Sequence, residues 1–251
     1  MIFKSIASVS ATAIILVLPG PAGAEAPKTE AAPYTGSPDV IVDEALAIAK
    51  KSRLIKVLSD HLPEFDGLMR SRMKAIVSTT PQYAWPEQAH LQGQALVQYY
   101  FSVYMPMASD ESIYRLLKYD TENLAIYADK PEACVGYALG TPDFAKIAAA
   151  DYVEKVTDLK ADIFESAFTA PVHRDFKPDL SDARVLFMAQ YQKEGFDPKD
   201  LALLGNLAAI PAVDGCRAYT RFNKTIYDLG PKDGPFVLAA FTNAAPKIKP
   251  S

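Results

Sequence analysis

Two cysteines, three histidines and one tryptophan are all that 251 residues carry of these types. So few thiols and imidazoles, at scattered positions, leave a multi-ligand zinc site without enough donors. Basic residues are not in surplus either, with 26 Lys and Arg against 30 Asp and Glu and a formal net charge of -4. A nucleic-acid binder needs a concentrated positive field, and the same holds for anionic membrane surfaces, so neither partner is expected. The Gly-x-Ser-x-Gly elbow, His-Glu-x-x-His and Gly-rich phosphate loops are all absent, which lowers the case for an enzyme and implies no cofactor.

Long apolar runs are also missing after the first residues. The opening "MIFKSIASVSATAIILVLPGPAGA" has Lys4, an apolar run from Ile6 to Leu18, a Pro19-Gly20 break and then Ala22-Gly23-Ala24. This is the order of a cleavable export signal, and the run is too short for a span, which takes about 20 residues. Cleavage after Ala24 is expected, with periplasmic or secreted localisation and no stable membrane insertion. Residues 25–39, rich in Ala, Pro, Thr and Glu, read as a disordered leader. Residues 40–243 then form one helical domain, and 244–251 a flexible tail.

What is present is helical periodicity. From Val40 to Leu58, Ile41, Ala45, Ile48 and Ile55 recur at helical spacing, predicting a single helix with these residues inward. After Pro63 a face of Phe65, Leu68 or Met69, Met73 and Ile76 is expected, with Arg70, Arg72 and Lys74 elsewhere. Pro86-Glu87 opens a helix to Met105 that is apolar or aromatic on most sides, the pattern of a buried helix. Ser109 or Asp110 caps a helix burying Ile113, Leu116, Leu117, Leu124 and Tyr127.

Thr141-Pro142-Asp143 starts the next helix, its inward line Phe144, Ala148, Tyr152, Val156, Leu159 and Ile163. Ser181-Asp182, Asp197-Pro198 and Asp214 each start one more. Their apolar lines are Val185, Leu186, Met188 and Ala189; Leu201, Leu204 and Leu207; and Tyr219, Phe222, Ile226 and Leu229. "GPFVLAAFTN" fits a helix or a strand, and is read as a helix. The fold class is therefore all-α, a bundle of eight or more helices.

Cys134 and Cys216 each precede a tyrosine by three residues, Tyr137 and Tyr219. In an oxidising compartment an isolated pair defaults to a disulfide between two helices. A helix N-terminus lowers a thiol pKa and favours reactivity, but Glu132 and Asp214, two residues before the cysteines, work against it.

Four polar or aromatic groupings remain as candidate sites. His90 has Glu87 one turn before it, an acid/base pair if the carboxylate orients the ring. Arg217, Arg221 and Lys224 form a basic stripe for a carboxylate or phosphate, with Asn223 and Tyr227 nearby. "QYYFSVYMPM", residues 98–107, is core or the wall of an apolar ligand pocket. Asn223-Lys224-Thr225 matches a glycosylation pattern at a mid-helix position unsuited to it. His61 and His173 need no chemical role. The chain reads as an exported protein that binds a small ligand or an envelope protein. An exported helical hydrolase or lyase acting at Glu87 and His90 is the alternative.

Overall fold

The computed structural model describes residues 37–127, 129–139 and 150–247. The expected export signal, most of the leader, the Thr141 start, Phe144 and Ala148 lie outside them. Proline or a small polar residue opens most of the helices, as the capping pattern requires. Ser37 accepts from the Val40 amide and Pro38 follows it, starting α1 (Pro38–Ala49). α2 (Arg53–His61) and α3 (Pro63–Thr79) come next. A 3-10 turn at Gln82–Ala84 leads into α4 (Trp85–Tyr104), and another at Met105–Met107 leads out of it. Ser109 caps α5 (Asp110–Ile126) through the Ser112 amide at 3.2 Å.

The remaining helices are α6 (Pro131–Leu139), α7 (Ala150–Thr169), α8 (Ser181–Lys193), α9 (Asp200–Leu203), α10 (Ala212–Asp228) and α11 (Gly230–Ala244), with a 3-10 segment at Leu204–Ala209. Among the described residues the protein is all-α, with eleven α-helices and no strand. The ambiguous apolar run before the C-terminus is helical. Gly230 turns the chain there at φ 85°, a left-handed value suited to glycine. Gly234 then lets α11 press on α10, where a Cβ would meet the Ile226 carbonyl oxygen at 2.6 Å.

α10 packs against α5, α6, α8 and α11, and α7 against α2, α4 and α5. One apolar cluster runs from Val42 to Phe241 through both groups. The expected lines of α5 and α10 are its walls, including Ile113, Leu116, Leu117, Tyr219, Phe222 and Ile226, and so are Tyr152, Val156, Leu159 and Ile163 of α7. The aromatic run near residue 100 is core: Tyr100 meets Phe65, Phe101 meets Phe164 and Tyr104 meets Phe168 at centroid separations of 5.7, 5.9 and 4.8 Å.

Three expectations fail, each to tertiary packing. The helix expected from Val40 to Leu58 breaks at residues 50–52, where Ser52 is extended (ψ 127°). The break lets Val42 and Leu46 face α3 while Leu54, Ile55 and Leu58 turn to the core, and it leaves Ile48 65% exposed. In α8 the inward residues are Ala183, Phe187 and Tyr191, and Val185 lies outside. A buried ring removes more apolar surface from water than a valine does, and Phe187 and Tyr191 at i and i+4 decide the face. Arg72 is buried rather than outward, donating to the Gln92 carbonyl at 3.1 Å and so tying α3 to α4.

Cys134 and Cys216 are bonded, with their α-carbons 5.5 Å apart and 82 residues between them in sequence. The bridge joins α6 to α10. Closing a loop of that length limits the unfolded chain by about 4.5 kcal/mol in the loop-entropy treatment, an upper figure. Reduction is therefore expected to lower Tm by roughly 10 °C, at about 2–4 °C per kcal/mol, while the far-ultraviolet helical signal below the transition stays. Circular dichroism with and without reductant checks this. Loss of the helical signal at 20 °C on reduction would contradict it.

Candidate functional site

The break between α1 and α2 opens a groove on the N-terminal side of the molecule, with a volume of about 530 Å³ and one side open to solvent. α1 contributes Ala45, Leu46, Ile48 and Ala49, and the break itself contributes Lys51 and Ser52. Ile55 of α2 and Met69 and Met73 of α3 form the next wall; Pro86, Ala89, His90 and Gly93 of α4 form the last. Alanine and glycine at the facing helix positions keep those walls from meeting. A site of about 300–1,000 Å³, mostly apolar with a few polar groups, is the usual form of a small-molecule pocket.

His90 is the imidazole that sequence reasoning singled out, and it lines this groove. Burial among apolar neighbours pulls its pKa below the ordinary histidine value, because the charged form loses hydration there. Glu87 is exposed on the same helix, and among the described residues no hydrogen bond or ion pair joins it to His90. Among the described residues, the imidazole stands without an orienting carboxylate. Ser52 is the N-cap of α2, yet its hydroxyl makes no cap, and its oxygen is withdrawn from water with no hydrogen-bond partner.

The basic stripe on α10 is an ion-pair ladder. Arg217 meets Asp214 at 2.8 Å and Asp200 at 3.6 Å, Arg221 pairs with Asp200, and Lys224 meets Asp228 and, at 3.7 Å, Glu194. Arg221 also lies 4.9 Å from the Phe196 ring. An incoming anion would have to displace these carboxylates. Asn223 turns back on its own helix, donating to the Tyr219 carbonyl at 3.0 Å, and is buried. Tyr227 stacks on Tyr114. His61 stacks on Phe168 at 4.8 Å, and His173 meets Asp175 at 3.1 Å on the exposed surface.

A second titratable group was not singled out in the sequence. Asp120 of α5 and Lys160 of α7 are both buried, Asp120 beside the two tyrosines that follow the disulfide cysteines. Tyr137 donates to Asp120 Oδ1, and its ring lies 5.8 Å from Tyr152 and 6.1 Å from Tyr219. Desolvation raises Asp120 to about 6, opposed by the Tyr137 hydrogen bond and by Lys160. Desolvation likewise lowers Lys160 to about 7, opposed by Asp120. The Lys160 ammonium lies 5.8 Å from the Phe101 ring centroid. Burial and the Asp120 charge push Tyr137 well above its ordinary value. With Lys160 at 1% exposure, this is a sealed polar centre of the core, where a substrate has no access.

Among the described residues, no group of three or more His, Cys, Asp and Glu side chains is placed to hold a metal ion, and no helix is long and apolar enough to cross a membrane. Comparison with family models, curated proteins and solved structures finds no match for the chain.

The sealed centre has a definite pH signature. Asp120, raised on folding, adds stability below about pH 4 that is lost by about pH 6. Lys160, lowered on folding, adds stability near and above its unfolded value, and that contribution is lost as pH falls through about 7. Stability is therefore expected to rise from pH 7 to 9 with a slope approaching about 1 kcal/mol per pH unit. Urea unfolding at pH 7, 8 and 9 checks this, and Lys160→Met is expected to flatten the rise. An equal rise in the variant would assign it to other groups.

Proposed function

We propose that the protein is an exported binding protein of the cell envelope that holds an apolar small molecule in the groove between α1, α3 and α4. The observation that carries this reading is the groove itself, an apolar concavity of about 530 Å³ whose described lining has one imidazole, one ammonium, one unpartnered hydroxyl and no carboxylate. Such a lining removes apolar ligand surface from water, at roughly 25 cal/mol per Å², and orients it through few polar contacts. The signal-like first 24 residues and the paired cysteines support export to an oxidising compartment. A hydrolase or lyase at Glu87 and His90 is less supported, because catalysis needs titratable groups that converge and these two do not meet.

The test uses protein expressed with its own first 24 residues and recovered from the envelope, where the first residue is expected to be Glu25. The uncharged probe N-phenyl-1-naphthylamine is expected to bind with a fluorescence increase. Ala89→Phe, which fills the groove from α4, is expected to weaken that binding about tenfold or more while leaving the helical signal and Tm nearly unchanged. Unaltered probe binding in Ala89→Phe would contradict the groove assignment. Recovery of the intact chain from Met1 in membranes would contradict export.

A further inference from the structure

We infer that the ligand is a fatty carboxylate, its alkyl chain in the groove and its carboxylate at Lys51 and Ser52. This rests on the groove reading above and adds the chemistry of the two ends. For the apolar end, the lining has aliphatic side chains and two methionines, Met69 and Met73, and among the described residues its one aromatic ring is the His90 imidazole. Flat aromatic ligands are commonly held by aromatic faces, whereas unbranched, adaptable methionines suit a flexible chain.

For the polar end, two neighbouring groups on the groove wall are left without partners. Among the described residues of α1 to α4 and their connections, Lys50, Arg53, Lys56, Arg70 and Lys74 all meet carboxylates. Arg72 has the Gln92 carbonyl. Lys51 alone among these cations has a side chain with neither an ion pair nor a hydrogen bond, and it lines the groove. Beside it the Ser52 oxygen is out of water, unpartnered and not used as a cap. Lys51 and Ser52 both line the groove, and an ammonium and a hydroxyl are the donors a carboxylate takes, since a charged acceptor makes the stronger hydrogen bonds. Among the described residues, no acidic side chain lines the groove to oppose the anion. An alkyl alcohol or ester would fill the same apolar space and leave Lys51 unpaired.

The full mature chain tests this by displacement of N-phenyl-1-naphthylamine at pH 7.5, using dodecanoate and methyl dodecanoate below their aggregation limits. Dodecanoate is expected to displace the probe about tenfold more tightly than the ester. Lys51→Met is expected to bring the two within about twofold while leaving the affinity of the uncharged probe as it was. Ser52→Ala is expected to weaken dodecanoate and not the ester. Equal affinities in the unaltered protein, or a preference that survives Lys51→Met, would overturn the assignment of the head group while the groove reading stands. A probe and two ligands that all fail to bind would overturn both.

Discussion

Two ionisable side chains, Asp120 and Lys160, lie inside the protein, where burial disfavours the charged form of each and each favours the charge of the other. Removing one member of a buried pair leaves an uncompensated group, at about 3–5 kcal/mol in comparable cases. The centre is held from several directions. Tyr137 on α6 donates to the carboxylate, Tyr152 on α7 and Tyr219 on α10 close around that ring, and the Cys134 to Cys216 bridge fastens α6 to α10 one turn away. The Cys-x-x-Tyr spacing shared by the two helices thus places a covalent tie and an aromatic lid on the same buried centre. Helices α5, α6, α7 and α10 form its frame, and α11 presses on α10 through Gly234.

The N-terminal helices are built on the opposite principle. Where the frame is filled with rings, the facing positions of α1 and α4 are Ala45, Ala49, Ala89 and Gly93, which leave space. α2 stays with the frame through α7, and Arg53 reaches Asp162 at 2.6 Å across that contact, whereas α1 follows α3. The break at residues 50–52 separates these two allegiances. It is also the place where an unpaired cation and an uncapped serine hydroxyl come to line an apolar wall, so one backbone feature supplies both the opening and its polar end.

Much of the frame could be read from residue order. Ser37-Pro38, Pro63 and Ser109 mark helix starts through the physics of orphan amides, and the spacing of Ile113, Leu116 and Leu117, or of Tyr219, Phe222 and Ile226, identifies the buried faces. Cysteine scarcity in a chain with an export-like start pointed to the bridge. The break after α1 was not legible, because Lys50-Lys51-Ser52 contains neither proline nor glycine and the helical period runs through it. Its cause is the competition between α3 and α7 for the two halves. The face of α8 was misjudged for a related reason: Val185 and Phe187 both fit a helix, and only the neighbours select between them. The buried charges did leave a signal, since Asp120 falls three residues after Leu117 and four before Leu124, and Lys160 four after Val156, each on an apolar line. The groove left none, as small residues on two separate helices have no common pattern until the fold brings them together.

The central claim is that the N-terminal groove, and not the aromatic run near residue 100, is where a ligand enters. Methionine methyl resonances separate the two directly, because Met69 and Met73 line the groove while Met105 and Met107 belong to the core beside that run. With methyl-labelled methionine and titrated N-phenyl-1-naphthylamine, the Met69 and Met73 signals are predicted to shift in proportion to bound probe while those of Met105, Met107 and Met188 hold still. Shifts confined to Met105 and Met107 would contradict the account and move the binding site into the aromatic core.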